Sequence, residues 1–145
     1  MSDVVLDANV IVGLLDEGDS QSARAHELVA GLQARGHQPV FVGFLLAEAL
    51  SALCRRSFER KKQPPQLDPI IEWVHEQRRR GLVYFPTLTD EDFAGALDVM
   101  KSSQGELNFN DARLVVMQRR GEIGDIASFD ADFDTVDGFR RLSYC

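Results

Sequence analysis

The sequence lacks the cysteine, histidine and glycine patterns that mark several common kinds of site. Cys54 and Cys145 are isolated, so there is no CxxC motif, and we expect two free thiols in a reducing cytoplasm. The three histidines have no zinc-ligand spacing, and no glycine-rich loop is present to hold a phosphate. These absences argue against zinc, disulfide and P-loop chemistry.

Long hydrophobic runs and a positive net charge are missing as well. The apolar stretches are too short to cross a bilayer, and residues 1–3 do not begin a secretory signal. We therefore expect a cytoplasmic protein without membrane contact. The net charge of −7 argues against a protein that coats nucleic acid by charge alone, although not against an enzyme that cuts it. The length of 145 residues and the 44% hydrophobic composition suit one domain, residues 1–145.

Short apolar runs alternate with helical patterns along the chain. The runs predict strands at 4–6, 39–42, 82–85 and 123–128, and a last strand at 139–142. Helices are expected between them, at 10–15, about 20–36, 44–61, 69–80, 89–101 and 111–120. Asn9 and Asp68 are the expected caps of the first and fourth helices. This order predicts an α/β fold with a mostly parallel central sheet flanked by helices.

Four acidic residues lie at the edges of hydrophobic elements, where a carboxylate costs roughly several kcal/mol unless it is paired or binds a metal. They are Asp7, Glu48, Asp111 and Asp130. Sites in open α/β sheets lie beyond the carboxyl ends of the strands. Asp7 and Asp130 follow predicted strands, Asp111 begins a helix, and Glu48 follows a strand and loop. We therefore expect the four carboxylates to share one pocket.

Each acid also has an ordinary explanation when it is considered alone. Asp7 and Asp111 can cap helices, and Asp130 can be a turn residue. Glu48 can form an ion pair with Arg55 or Arg56. The basic residues 55–62 can likewise be a solvated helix end that complements the helix dipole, or a surface that binds nucleic acid.

The donor types favour a hard divalent cation. Carboxylate oxygens suit Mg²⁺ or Mn²⁺, whereas Zn²⁺ would call for histidine or cysteine. Such an ion can activate water and offset the charge of a phosphodiester. An aspartyl-phosphate phosphatase is disfavoured, because its chemistry needs a second aspartate two residues after the first and this position is Asn9.

Four segments together resemble the PIN-domain ribonucleases, and the chain's size is similar to that of VapC-type toxins of toxin–antitoxin pairs. The segments are residues 5–10 (VLDANV), 48–53 (EALSAL), 107–112 (LNFNDA) and 128–133 (SFDADF). The resemblance implies that Asp7, Glu48, Asp111 and Asp130 are the catalytic, metal-binding acids, with Asn9 and Ser128 supporting them. Asp132 and Asp134 lie close enough in sequence to leave the fourth acid open, and Asp132 is the alternative.

The resemblance also implies an activity and partners. We expect a Mg²⁺- or Mn²⁺-dependent endoribonuclease, the toxin of a pair with a cognate antitoxin protein, acting on RNA that Arg55 and Arg56 help to bind. A homodimer is implied, with residues 44–62 and the helix around Trp73 as candidate surfaces, although Trp73 also suits an ordinary core position. The alternatives are a PIN-like module that binds RNA or protein without catalysis, and a housekeeping RNA-processing nuclease without an antitoxin.

Overall fold

A computed structural model describes residues 2–144, and within this range the chain forms a parallel α/β fold. The strands are Asp3–Leu6 (β1), Gln38–Val42 (β2), Val83–Tyr84 (β3), Ile126–Ala127 (β4) and Arg141–Leu142 (β5). The helices are Ala8–Leu15 (α1), Ser22–Ala34 (α2), Gly43–Glu59 (α3), Leu67–Arg79 (α4), Asp90–Ser102 (α5) and Phe109–Arg119 (α6), and a 3₁₀ turn covers Ala131–Thr135. The predicted α/β alternation is therefore confirmed.

The five described strands form one sheet in the order β3-β2-β1-β4-β5, and every pairing is parallel. In the centre, Val5 pairs with Val40 of β2 and Leu6 with Ala127 of β4. The chain leaves β1 toward β2 and returns later to β4 on the other side. The carboxyl ends of β1 and β4 therefore meet at the point where the strand order reverses, which is where open α/β sheets form their sites.

Helix α6 is buried on all sides in the core. Its residues 111–118 are all buried, including the charged Asp111 and Arg113. A helix with this burial lacks the polar stripe of a surface helix, so it is held by packing on several faces. On the other side of the site, α1 packs closely on α2, because a Cβ added at Gly13 would lie only 2.7 Å from the Cβ of Ala25. The positions of α1 and α6, which both begin beside the pocket, are therefore fixed by close packing.

Two predicted caps are wrong. Asp7, not Asn9, caps α1. The helix begins at Ala8, so Asp7 is the one residue between β1 and α1 and takes the cap position. Gln66 occupies the cap position of α4, and Asp68 lies in the first turn. Helix α6 begins two residues earlier than predicted, because the Asn108 side chain accepts a hydrogen bond from the N–H of Asp111 and caps the helix there.

The structure also bears on the expectations for Trp73, for the cysteines and for membrane-spanning helices. Trp73 is half-buried and packs edge-on against Phe41 at a centroid distance of 5.2 Å, so it belongs to the core. Cys54 is a free thiol, and Cys145 lies outside the described residues. Between residues 2 and 144 no helix has the length and hydrophobicity that a membrane crossing requires.

Candidate active site

The four acids predicted from the sequence line one pocket of about 420 Å³. They come from separate parts of the chain: Asp7 follows β1, Glu48 lies on α3, Asp111 on α6, and Asp130 after β4. The other polar residues that line the pocket are Asn9, Asp19, Ser20, Gln21, Arg55, Arg56 and Asn108, and Asp19 among them is paired with Arg56. The sheet and three helices thus bring together carboxylates that are more than 120 residues apart in sequence at the extremes.

Asp7 is the most buried acid of the pocket, with 4% of its surface exposed. Its Oδ1 accepts a 2.8 Å hydrogen bond from the N–H of Ala8, and its Oδ2 accepts a 2.7 Å bond from the Ser128 hydroxyl. Burial raises the pKa of Asp7 to about 6, although both hydrogen bonds oppose the shift, and the negative charges of Glu48 and Asp130 add to it. Both carboxylate oxygens are therefore fixed in position while the charge remains costly.

Ser128 and Asn9 form a connected network behind Asp7. The Ser128 Oγ accepts hydrogen bonds from Nδ2 of Asn9 at 3.2 Å and from the N–H of Asp130 at 3.1 Å, and donates to Asp7. Oδ1 of Asn9 accepts a 3.2 Å bond from the N–H of Phe129. Since Asn9 lies on α1 and Ser128 directly follows β4, the network fixes these two elements against each other at the pocket. The structure thus places Asn9 and Ser128, the two residues predicted to support the acids, directly behind Asp7.

Asp111 lies in the first turn of α6, where the helix dipole favours a negative charge. Its pKa is nevertheless raised to about 7, first by burial and then by the negative charge of Asp7, with smaller contributions from Asp130 and Glu48. Asp111 is therefore partly protonated near neutral pH. The negative charges of the three other acids thus each raise the pKa of Asp111.

The structure separates the three candidates for the fourth acid. Asp130 lines the pocket and caps the 3₁₀ turn, its Oδ1 accepting a 2.9 Å bond from the N–H of Asp132. Asp132 is exposed and does not line the pocket, and its pKa is raised mainly by the charge of Asp130. Asp134 is bound by Arg141, which lowers its pKa. Of these aspartates, Asp130 alone has a position beside the other acids.

Glu48 does not form the ion pair that offered its ordinary explanation. Arg56 instead bonds Asp19 through Nη1 and lies 3.6 Å from Asp16, both at the end of α1 and in the loop after it. Within residues 2–144, Glu48 has no ion pair with either arginine. Arg55 is exposed at the pocket wall. Glu48 therefore contributes an uncompensated charge to the pocket.

The donor set fits a hard divalent cation by its chemistry. No histidine or cysteine lines the pocket, and carboxylate oxygens are the donors that Mg²⁺ and Mn²⁺ prefer. Burial, together with repulsion from the neighbouring acids, raises the pKa of Asp7 and Asp111, and a bound cation would offset this cost of their negative charges. In the described part of the chain, however, no three His, Cys, Asp or Glu side chains already stand as a cluster able to hold an ion. The side chains would have to close in for ligation.

Sequence reasoning missed Asp19, Gln21 and Asn108 at the pocket wall. Asn108 had a readable signal, because an asparagine three residues before Asp111 matches the spacing of a helix cap. Asp19 and Gln21 lie between α1 and α2, and no pattern in the sequence connects this loop with α3 or with the acids. Their position follows from the packing of α1 between α2 and α3.

Comparison with known families gives one match that covers most of the chain. A model of the family described as PIN domain matches residues 4–139. A search of curated protein sequences finds no match.

Solved structures with the same fold include a toxin, a toxin–antitoxin complex and a protein–DNA complex. The sarcin-ricin loop cleaving toxin VapC20 of Mycobacterium tuberculosis is 20% identical with a TM-score of 0.64, over 94% of this chain and 95% of that chain. A toxin–antitoxin complex from Klebsiella pneumoniae is 14% identical with a TM-score of 0.58, over 97% and 98%. VapBC2 from Rickettsia felis, bound to a DNA fragment from its promoter, is 10% identical with a TM-score of 0.56, over 98% of each chain.

Proposed function

Because this chain belongs to the PIN-domain family, we propose that it is a metal-dependent endoribonuclease that hydrolyses RNA at the pocket formed by Asp7, Glu48, Asp111 and Asp130. The observation that carries the proposal is the convergence of these four carboxylates from separate elements, with the pKa of Asp7 raised to about 6 and that of Asp111 to about 7. Carboxylates that repel one another in one pocket are costly for the fold, and a bound divalent cation would offset that cost.

The four acids are the residues that would hold Mg²⁺ or Mn²⁺. When bound, such an ion neutralises charge around a phosphodiester and lowers the pKa of water. Asp111 would have to lose its proton first, because a carboxylate binds a cation through its ionised form. The carboxylate of Asp7 is already oriented before an ion binds, because the Ser128 hydroxyl and the N–H of Ala8 each donate a hydrogen bond to one of its oxygens.

The remaining side chains of the pocket would orient the RNA. Arg55 is exposed at the wall and is a cation available to a backbone phosphate. Arg56 is also a proposed RNA contact, but its ion pairs with Asp16 and Asp19 would have to open or be shared. We therefore expect Arg55 to contribute more to RNA affinity than Arg56. No residue of the pocket needs to form a covalent intermediate, because the reaction that we propose is hydrolysis by water.

A cleavage assay on purified protein tests the activity. Labelled single-stranded and hairpin RNAs are incubated with the protein in Mg²⁺, in Mn²⁺ and in excess EDTA. The proposal predicts internal cleavage with either ion and none in EDTA. A protein that binds these RNAs but leaves them intact under every condition would instead be a non-catalytic binding module.

We further propose that the chain is the toxin of a toxin–antitoxin pair. The support is the shared fold with the toxin VapC20, with the toxin–antitoxin complex from Klebsiella pneumoniae and with VapBC2. The test is to identify the neighbouring reading frame and to express it together with this chain. The proposal predicts a stable complex in which RNA cleavage is suppressed, and restored growth of cells that the chain alone inhibits. A chain without such a neighbour, and without toxicity, would fit a housekeeping nuclease.

A homodimer is the proposed assembly. Large apolar side chains are exposed on two of the helices that the sequence suggested as surfaces: Phe58 on α3 is 59% exposed and Ile71 on α4 is 43% exposed. Light scattering after size exclusion measures the mass, and we expect twice that of one chain. Phe58→Glu should shift the mass toward that of the monomer, whereas Glu59→Gln at the adjacent exposed position should not. A wild-type monomer at tens of micromolar would contradict the dimer.

A further inference from the structure

Arg24 of α2 lies over the aromatic ring of Phe129 at the edge of the acidic pocket. Its guanidinium carbon is 4.5 Å from the ring centroid, a distance at which a cation is attracted to the face of an aromatic ring. Its Nη1 donates a long hydrogen bond of 3.5 Å to Oε1 of Gln21, which lines the pocket. Neither contact involves a carboxylate. The guanidinium is therefore held in position without being neutralised.

Phe129 connects Arg24 to the site. The N–H of Phe129 donates to Oδ1 of Asn9, and the residue that follows Phe129 is Asp130. Both Asn9 and Asp130 line the pocket. Arg24 thus contacts the pocket residue Gln21 directly, and it is connected to Asn9 and Asp130 through Phe129.

Among residues 2–144, no carboxylate forms an ion pair with the guanidinium of Arg24. Arg56, which lines the pocket, is bound to Asp16 and Asp19. In the part of the chain from residue 2 to residue 144, Arg24 has no such ion pair, and its side chain is exposed. An arginine stacked on a ring by its face keeps its N–H edges available, and these edges match the oxygens of a phosphate.

We propose that Arg24 binds a backbone phosphate of the RNA beside the bond that is cleaved, and that Phe129 and Gln21 pre-position its guanidinium. This inference rests on the proposed ribonuclease function. A protein with a net charge of −7 and five acids lining one pocket repels a polyanion unless cations border the pocket. A guanidinium that is already held over Phe129 loses less side-chain freedom when the phosphate arrives. Arg24 is a substrate-binding residue in this account and takes no part in proton transfer.

The test is the salt dependence of RNA affinity. Fluorescence anisotropy of a labelled single-stranded oligoribonucleotide is measured in EDTA, where binding without cleavage is expected, between about 50 and 200 mM salt. We expect Arg24→Gln to raise Kd roughly tenfold, and to reduce the slope of log Kd against log salt by about 0.7, the value for one phosphate contact with a single strand. Arg24→Lys should restore the slope but remain a fewfold weaker than the wild type, because an ammonium cannot bind a phosphate in bidentate form.

Arg35 supplies the matched control. It is an exposed arginine at the C-cap of the same helix, about 16 Å along the axis from Arg24. Arg35→Gln should leave Kd and slope unchanged, and thermal melts should be the same for all variants. Equal losses in Arg24→Gln and Arg35→Gln, or no change in Arg24→Gln, would overturn the inference while leaving the ribonuclease proposal standing. If the wild-type protein bound no RNA in EDTA, the inference would fail, and if it also cleaved none in Mg²⁺ or Mn²⁺, the proposed function would fail with it.

Discussion

Ser128 donates a 2.7 Å hydrogen bond from its hydroxyl to Oδ2 of Asp7, and this bond joins the residue after β4 to the residue after β1. The two residues are 121 positions apart in sequence. The bond is one of the two that hold the Asp7 carboxylate, and it lowers the pKa that burial raises. Asn9 and the N–H of Asp130 hold Ser128 in turn. The orientation of the most buried acid therefore depends on the strand at the other side of the switch point.

Removing the Ser128 hydroxyl tests this dependence. We expect Ser128→Ala to weaken Mn²⁺ binding roughly 10- to 100-fold, because the carboxylate of Asp7 loses the partner that fixes Oδ2 and ionises less readily. Isothermal titration calorimetry measures the affinity. Ser102→Ala, at an exposed position at the end of α5, is the control and should bind as the wild type does. An unchanged Mn²⁺ affinity in Ser128→Ala would mean that the hydroxyl does not orient Asp7 for metal binding.

The raised pKa values predict how stability changes with pH in metal-free protein. A carboxyl group whose pKa is higher in the folded state favours folding while it is protonated, so its contribution is lost as pH rises through about 4 to 7. For Asp7, a rise from 3.8 to about 6 lowers the free energy of unfolding by about 3 kcal/mol above pH 6. We therefore expect Asp111→Asn to be more stable than the wild type at pH 8 in EDTA, by about 1 to 3 kcal/mol, since it removes a charge that burial and the neighbouring Asp7 make costly.

Urea unfolding at pH 5 and pH 8 measures this difference. The advantage of Asp111→Asn should shrink at pH 5, where the wild-type carboxyl group is already protonated. Asp98→Asn, at an exposed position on α5, should show no such gain at either pH. A less stable Asp111→Asn at pH 8 would argue against the repulsion that we infer in the pocket.

Adding the metal ion should offset the loss of stability that the ionised carboxylates of the pocket cause. We expect Mn²⁺ or Mg²⁺ to raise the melting temperature, and the rise should grow with the logarithm of the ion concentration above Kd. Near pH 7, binding should release protons, because Asp111 is partly protonated before the ion binds. Calorimetry in two buffers with different ionisation enthalpies measures the proton count. Release of no protons by the wild type would contradict the pKa of about 7 for Asp111.

The sequence predicted the acids of the pocket better than their surroundings. Asp7 and Asp130 were readable because each follows a short apolar run, and parallel strands bring such residues to one edge. The cap assignment of Asn9 failed because Asp7 both ends β1 and caps α1, so the pattern placed the helix start too late. The bond from Asn9 to Ser128 spans 119 residues, and no local pattern encodes it. The Arg56–Asp19 pair was hidden for the same reason, since it depends on how α1 packs beside α3.

The fourth acid can be assigned by a pair of substitutions. Asp130 lines the pocket beside Asp7, whereas Asp132 is exposed outside it. We expect Asp130→Asn to reduce RNA cleavage by roughly 100-fold or more, because a ligand charge is lost, and Asp132→Asn to stay within about twofold of the wild type. Initial rates at saturating Mg²⁺ measure both. Since the two residues are two positions apart on the same turn, an effect of equal size in both would show that the turn, and not the carboxylate at 130, matters.

The substitution Asp7→Asn tests the central claim most directly. It replaces one oxygen of the most buried pocket carboxylate by an NH₂ group of similar size. One accepted hydrogen bond is lost, but a costly buried charge is removed as well, so the fold should remain. The measurement is the rate of internal RNA cleavage in Mg²⁺ by the wild type and by Asp7→Asn, with a wild-type sample in excess EDTA. The account predicts cleavage by the wild type in Mg²⁺ and at least a 100-fold lower rate in the other two samples. Cleavage at the wild-type rate by folded Asp7→Asn would contradict it.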